Sequence, residues 1–395
     1  MDKIKICEMC DAFYPTVDGV VNVVKNYSQI LNKKSCCKAC VPSAGRKSDY
    51  VDKEEFEVIR CASMRAPEGY RTALPFLDKR CAKKIDAEKF DIIHAHSPFG
   101  MGRFALKRAR KNKIPLVATL HTQYHQDFER VLKGFKPLVN FMIRFIMKVY
   151  NKADSVWTVS KGSCEILRQY GYKGDIRVIR NGTDFVYPDS AEELKKKIDE
   201  KHNLKGQKNV FIFVGRMAMY KNLKLLCDAL RIVKDAGCDF KMLFVGGGFD
   251  LKELKEYVKT VDIEDRCIFT GPVNNRAELQ EYYTRADLLL FPSTFDMASV
   301  VGIEAAAHKV ASVMIKGACT AETITDNVDG FLTEETAESF GEKIAFLCNN
   351  PELIEKAGDM AYKNVYRTWE MVAEEVYENY LDVIKQYKEK HKKNK

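Results

Sequence analysis

Two cations five residues apart, Arg216 and Lys221, stand just behind the apolar run Asn209–Val214 and Gly215, ahead of a helix-like stretch. Arginine offers a planar fork of donors and lysine a compact point charge, so a fixed pair at the carboxyl end of a strand suits a diphosphate. The first N–H groups of the following helix add to such an anion site. Two carboxylates, Asp296 and Glu304, lie eight residues apart behind the strand-like run Asp287–Phe291. Asp296 falls in a polar turn, and Glu304 in a helical stretch followed by Ala305, Ala306 and Ala307. A glutamate among small apolar residues is seldom buried without a partner, so Glu304 is expected to face a ligand or a cation. A carboxylate can accept both hydroxyls of a ribose, and the amides of Ser299 and Val300, near the helix start, can meet a phosphate. Gly19, at a loop–helix junction behind the first apolar run, lets backbone come close to a phosphate or sugar. His94 and His96 end one strand-like run, and His121 and His125 follow another. Imidazole is the side chain best able to hold or move a proton near neutrality. His-x-His and His-x-x-x-His are also ligand-like spacings, but no cysteine or acidic set accompanies them in the sequence, and no metal is assigned.

The elements that must position these residues are legible as alternating strands and helices. Ile4–Met9, Asp91–Ala95, Pro115–Leu120 and Ser155–Val159 read as strands, with helical stretches over Val20–Leu31 and Gly102–Lys111. The pattern breaks at Asn181-Gly182-Thr183-Asp184 and Pro188-Asp189-Ser190, which is turn chemistry. It restarts with Asn209–Val214 and continues through Phe240–Val245, Cys267–Phe269, Asp287–Phe291 and Val310–Val313. Such βαβ alternation implies parallel sheets covered by helices. The expected domains are 1–187 and 188–368, with a helix over 369–395 returning to the first. Two such bodies in tandem are expected to bind a ligand between them, near the carboxyl ends of their strands. Gly246-Gly247-Gly248 reads as a tight turn on the nucleotide side rather than a dinucleotide fingerprint, because Gly-x-Gly-x-x-Gly is incomplete.

With 395 residues, two domains are the prior. No apolar run approaches the roughly 18 residues a membrane span needs. The opening residues carry no signal-peptide core, so a cytoplasmic protein is expected. The thirteen cysteines are an odd number in a long chain, which favours reduced thiols over a disulfide framework. Cys7-x-x-Cys10 and Cys37-x-x-Cys40 sit in or beside strand-like runs, where i and i+3 point to opposite faces, and are read as core or loop cysteines rather than zinc ligands. The net charge of +9 is unevenly placed: +14 over residues 1–187 and −5 over the rest. That asymmetry suggests an anionic partner for the first half. Between Glu129 and Asp154 there is no acidic residue, while Lys133, Lys136, Asn140, Arg144 and Lys148 recur at three- and four-residue steps among apolar side chains. Val131–Tyr150 therefore reads as a basic amphipathic helix able to lie on the anionic inner face of a plasma membrane. The competing reading is an ordinary domain helix packed on its sheet.

In order and spacing, the Pro15–Gly19 loop, Asp91-Ile92-Ile93-His94-Ala95-His96-Ser97-Pro98, the His121 loop, Arg180-Asn181-Gly182, Gly215-Arg216, Lys221 and the Asp296–Glu304 segment resemble family 4 of the retaining glycosyltransferases. The likeness covers nearly the whole length. It implies the GT-B fold: α/β, with two Rossmann-like doubly wound parallel-sheet domains facing across a cleft. It implies a nucleotide-sugar donor, no cofactor and no metal; the sequence shows no recognition helix or aromatic-basic motif, so no nucleic acid is expected as a partner. In such enzymes the counterparts of Arg216 and Lys221 bind the donor diphosphate, that of Glu304 the ribose and that of Gly19 the phosphate. His121 is expected to line the sugar site, and Asp296 stands at the first acid of the family's Glu-x7-Glu motif, one methylene shorter. Ala298-Ser299 replaces the usual Phe-Gly. Catalytic roles accordingly fall to His121, Asp296, Arg216 and Lys221, with retention at the anomeric carbon and a departing phosphate stabilised by cations and helix N-termini. The implied reaction moves a hexose to a lipid or cell-surface glycan, as in the similar diacylglycerol glucosyltransferases. A nucleotide-sugar epimerase of the same fold and a non-catalytic polyanion- or membrane-binding protein are the competing readings.

Overall fold

The apolar runs become parallel strands buried on both faces, the pattern a helix-covered parallel sheet demands. A computed structural model of the chain describes residues 3–16, 18–45, 50–65, 71–298 and 300–392. The chain divides into two units, Met1–Asn181 with Trp369–Lys395, and Gly182–Thr368.

The first unit holds strands β1 (Lys5–Met9), β2 (Cys36–Pro42), β3 (Glu57–Cys61), a small antiparallel pair β4 (Ser63–Arg65) and β5 (Arg71–Ala73), then β6 (Ile92–Ala95), β7 (Leu116–Leu120), β8 (Ser155–Thr158) and β9 (Ile176–Val178). Its seven-stranded sheet runs β3-β2-β1-β6-β7-β8-β9. The second unit holds β10 (Val210–Val214), β11 (Lys241–Val245), β12 (Cys267–Gly271), β13 (Leu288–Phe291), β14 (Ala311–Ile315) and β15 (Phe331–Thr333), ordered β12-β11-β10-β13-β14-β15. Each sheet grows outward from its first strand in one direction and then the other, which is the doubly wound order. The order reverses between β1 and β6 in the first unit and between β10 and β13 in the second. Loops leaving the carboxyl ends of those pairs diverge and leave a crevice there.

Helix Leu223–Asp235 shows how the covering layer forms. Leu223, Leu226, Cys227, Leu230 and Val233 recur at three- and four-residue steps and are buried, while Lys224, Arg231 and Lys234 carry outward ion pairs. Gly237, at φ +79°, follows just past its end and accepts the left-handed turn that stops it.

The boundary lies earlier than the Pro188-Asp189-Ser190 turn suggests. Thr183 pairs with Thr368, and Phe185 sits in the second unit's core, so the segment from Gly182 to Tyr187 belongs to that unit and not to the first. The long helix Trp369–Lys392 lies in the first unit. Its buried stripe of Trp369, Val372, Ala373, Val376, Tyr380, Val383 and Ile384 joins Ile6, Ile92, Val117 and Trp157 in one core cluster. All thirteen cysteines carry free thiols.

Val131–Tyr150 is not one helix. One helix ends at Val131 and another spans Lys136–Tyr150. Lys133 and Gly134 between them have positive φ, and Pro137 sits in the first turn of the second helix, where a missing N–H costs nothing. Val139, Ile143, Ile146 and Tyr150 form its buried face, as an ordinary domain helix would. Val131, Phe135, Leu138 and Phe141 remain exposed. No helix among the described residues is long and apolar enough to cross a membrane.

Candidate active site

In the second unit, the loops after β10 and β13 leave adjacent parallel strands at the reversal point. Behind β10, Gly215 has φ +149°, a conformation that favours glycine. The glycine turn behind β11 then clamps this loop. Gly215 N donates to Val245 O at 3.0 Å, Met217 N to Gly247 O at 2.9 Å, and Met219 N to Asp250 Oδ2 at 2.8 Å. A Cβ on Gly246 would stand 2.0 Å from Gly215 O, and one on Gly248 2.3 Å from Met217 O. Gly246–Gly248 is thus the support that lets a second backbone press against the Arg216 loop. Gly246→Ala, at φ +142°, is expected to destabilise the second unit by ~2–4 kcal/mol through strain and overpacking. It should also weaken nucleoside diphosphate binding. Calorimetric unfolding and a titration check both.

Arg216 is exposed on this loop, and Lys221 is buried at the end of a single 3-10 turn, Met219–Lys221. Lys221 Nζ lies 2.7 and 2.6 Å from the two oxygens of Asp296, and Ser293 Oγ donates to Asp296 Oδ2 at 2.6 Å. Asn222, left-handed at φ 59°, donates from Nδ2 to Pro292 O at 3.1 Å, and the Tyr220 and Phe295 rings meet at 4.5 Å. The structure therefore joins Lys221 and Asp296 directly, across two loops that a hydrogen bond and a ring contact hold together.

Glu304 meets a cation. It is 5% exposed, accepts from Arg276 Nη1 at 2.7 Å and from the Tyr283 hydroxyl at 2.8 Å, and its backbone carbonyl lies 2.8 Å from His308 Nδ1. Arg276 also pairs with Asp184 and stacks its guanidinium 3.8 Å from the Phe185 ring. Burial raises the Glu304 carboxyl, against the pull of Arg276 and the Tyr283 hydroxyl. Sequence reasoning missed Arg276 and Tyr283. Their only local signal is a cation and a tyrosine seven apart on one helix, Arg276–Arg285. Val300 opens the helix Val300–Ala307, and Ser299 lies outside the described residues.

In the first unit, Gly19 begins the helix Gly19–Lys34, which Asp18 caps by accepting from Val21 N at 2.8 Å. A Cβ on Gly19 would meet nothing within 4 Å, so its own unit does not demand glycine there. At the β1–β6 reversal, His96 Nε2 lies 2.7 Å from Glu8 Oε2, and His96 Nδ1 lies 3.0 Å from His121 Nε2. His94 Nδ1 lies 2.5 Å from the Tyr380 hydroxyl, which donates to Glu8 Oε1 at 2.8 Å. Glu8, His94 and His96 come within 4.8 Å of one another. His96 bonds Glu8 directly and His94 reaches it through the Tyr380 hydroxyl, which accounts for the closeness, and no ligand role is assigned. His125 stands apart, half-exposed toward Glu129 at 3.5 Å. The sequence showed His94 and His96 at the end of one strand and His121 behind another, but not the acid and phenol that join them.

Two family profiles match this chain: Glycosyltransferase Family 4 over residues 17–186 and Glycosyl transferases group 1 over residues 194–364. The chain belongs to the family 4 glycosyltransferases. The enzyme is 25% identical to the alpha-monoglucosyldiacylglycerol synthase of Streptococcus pneumoniae, across 95% of this chain and 85% of that one. It is 25% identical to the synthase of the same name from Acholeplasma laidlawii, across 95% and 96% of the two chains. A GDP-mannose-dependent alpha-mannosyltransferase of Corynebacterium glutamicum is 26% identical over 96% of this chain and 89% of its own. These relatives are synthases and transferases, and the epimerase reading finds no support among them. Anabaena HepE, solved with UDP and glucose, superposes with a TM-score of 0.75 at 18% identity, covering 95% of this chain and 99% of that one. Sucrose-phosphate synthase from Thermosynechococcus elongatus superposes with a TM-score of 0.78 at 17% identity, covering 97% and 100%. The glycosyltransferase therefore has the two Rossmann-like parallel-sheet domains of the GT-B class.

Proposed function

We propose that this glycosyltransferase moves a hexose from a nucleoside-diphosphate sugar to a lipid acceptor, with retention at the anomeric carbon. The observation that carries this reading is the Arg216–Lys221–Asp296 constellation on the two loops at the second unit's reversal point. Arg216 and Lys221 take up charge on the departing diphosphate, where each donor matters most in the transition state. The Val300 amide, with Ser299 beside it, adds the positive end of a helix. Asp296, one bond from Lys221, accepts from sugar hydroxyls. Glu304 grips ribose by sharing lone pairs already directed at Arg276 and Tyr283. On the first domain, Gly19 is assigned to a donor phosphate and His121 to the sugar. The departing phosphate takes the acceptor proton. Chain cations and helix amides meet the diphosphate charge, so the reading requires no metal and no cofactor.

The acceptor reading rests on the surface around Lys136–Tyr150. Phe135 and Phe141 are 60% and 55% exposed, beside Lys133, Lys136, Arg144 and Lys148. Apolar side chains ringed by cations suit an anionic leaflet, and two relatives carry diacylglycerol products in their names. The test is transfer from a panel of nucleoside-diphosphate hexoses to diacylglycerol in anionic vesicles. Phe135→Ser with Phe141→Ser is expected to reduce vesicle-dependent transfer at least about tenfold by removing apolar anchoring, while leaving donor binding intact. Equal transfer to a water-soluble glycan by both proteins, without vesicle binding, would move the acceptor to glycans. No transfer and no diphosphate binding at all would sink the reading.

A further inference from the structure

The first unit contains an unbroken hydrogen-bonded chain of which the transfer scheme uses only the last member, His121. It runs from Thr119 Oγ1 to His94 Nε2 (2.6 Å), His94 Nδ1 to Tyr380 Oη (2.5 Å), Tyr380 Oη to Glu8 Oε1 (2.8 Å), Glu8 Oε2 to His96 Nε2 (2.7 Å) and His96 Nδ1 to His121 Nε2 (3.0 Å). Glu8, His94 and His96 are fully buried, and His121 is half-buried at the end. Phenol, imidazole and hydroxyl groups each donate and accept, so the direction of such a chain depends on whether Glu8 holds a proton.

We propose that Glu8 is a positioning residue: through His96 it sets which nitrogen of His121 carries the proton, and so whether the remaining nitrogen, Nδ1, meets a substrate hydroxyl as acceptor or as donor. The functional half of this rests on His121 lining the sugar site. With Glu8 ionised, the Tyr380 hydroxyl and His96 Nε2–H both donate to it. His96 Nδ1 is then bare and accepts from His121 Nε2–H, which leaves His121 Nδ1 an acceptor. With Glu8 protonated on Oε2, the acid donates to His96 Nε2, His96 Nδ1–H donates to His121 Nε2, and His121 Nδ1 carries the proton. The change balances with one proton entering at His121 Nδ1 and one passing along each link. No ring becomes cationic.

The surroundings favour this arrangement over an imidazolium. Burial pushes His96 down to about 3 and holds His94 and His121 well below the usual range. Burial pushes Glu8 up to about 8, with the Tyr380 hydroxyl pulling the other way. The groups facing this cluster are Cys37 on β2, Tyr27 from the helix Gly19–Lys34, Trp157 on β8, His94 and His96 on and just behind β6, and Tyr380, with Cys7 next to Glu8 on the opposite face of the same strand. Both thiols are themselves held protonated by burial. Among the described residues, no Lys or Arg pairs with Glu8; the basic groups near it are the neutral rings of His94 and His96.

Long-range proton–nitrogen correlation on the full chain, labelled with 15N-histidine and followed from about pH 6 to pH 10, reads the tautomer directly. Above a midpoint near 8, His121 is expected to carry its proton on Nε2; below it, on Nδ1, with the ring neutral throughout. Glu8→Gln should abolish the transition. Tyr380→Phe, which removes the hydroxyl donor, should move the midpoint upward by on the order of one pH unit, and it carries the test alone if Glu8→Gln does not fold. The inference is overturned if His121 titrates as an ordinary imidazolium, if neither variant alters its tautomer, or if the transition disappears with a chelator. Full activity in His121→Ala would instead overturn only the sugar-site role of His121 and leave the tautomer coupling standing.

Discussion

Arg216→Ala combined with Lys221→Ala is expected to lower kcat/KM by about 10³-fold or more and to remove the thermal stabilisation that a nucleoside diphosphate confers. Loss of one preorganised donor at a developing charge typically costs ~10²–10³-fold, and here two are lost. The single variants should not be equivalent. Lys221 is bonded to both oxygens of Asp296, so Lys221→Ala also leaves a carboxylate unneutralised where the diphosphate must sit. Arg216→Ala leaves that pair intact. Adding Asp296→Asn to Lys221→Ala should therefore restore part of the lost donor affinity, although it removes an acceptor from the sugar site. A double-mutant cycle read by isothermal titration with the nucleoside diphosphate isolates this coupling from the sugar contact. Unchanged affinity in the Arg216/Lys221 double variant would show that the diphosphate binds elsewhere.

Ending the chain at Thr368 is expected to unfold the first unit while the second persists. The helix Trp369–Lys392 buries Trp369, Val372, Val376, Tyr380, Val383 and Ile384 in the same cluster as β1, β6, β7 and β8. At ~1.5–3 kcal/mol for each large apolar side chain, that burial rivals the ~5–15 kcal/mol by which a whole domain is stable. The loss is also electrostatic, since Tyr380 supplies one of the donors to buried Glu8, and a buried carboxyl without a donor is costly. The second unit does not depend on the missing residues. Thr183 still pairs with Thr368, and the Tyr366 hydroxyl still donates to Phe185 O at 2.9 Å. Hydrogen exchange on the truncated chain should show protection lost across β1, β6 and β7 and kept across β10 and β13. Native protection in the first unit would refute this account.

Both expectations depend on contacts of different sequence range, and that difference explains what could be read in advance. The strands carrying the site residues were legible because a helix-covered parallel strand is an unbroken apolar run, as in Val210–Val214 and Leu288–Phe291. Each run ends in glycine or a polar turn, so Arg216, Lys221 and Asp296 could be placed at strand ends. Short edge strands such as β9 and β15 were not legible, because three residues are too few to carry a period. The break at Lys133–Gly134 was hidden for another reason: the apolar and basic spacing continues through it, and only the positive φ values divide the two helices.

Which side chains would share a strand end followed from the sequence alone, because the side-chain period and the turn that stops a strand are local properties of the chain. Which side chains would become partners did not. Lys221 and Asp296 are 75 residues apart, and they meet because β13 returns to pair beside β10. Glu8 and Tyr380 are 372 apart, and they meet because the last helix lies in the first unit. A hydrogen bond acts over about 3 Å, so its partner is settled by strand order and helix return, which no local pattern encodes.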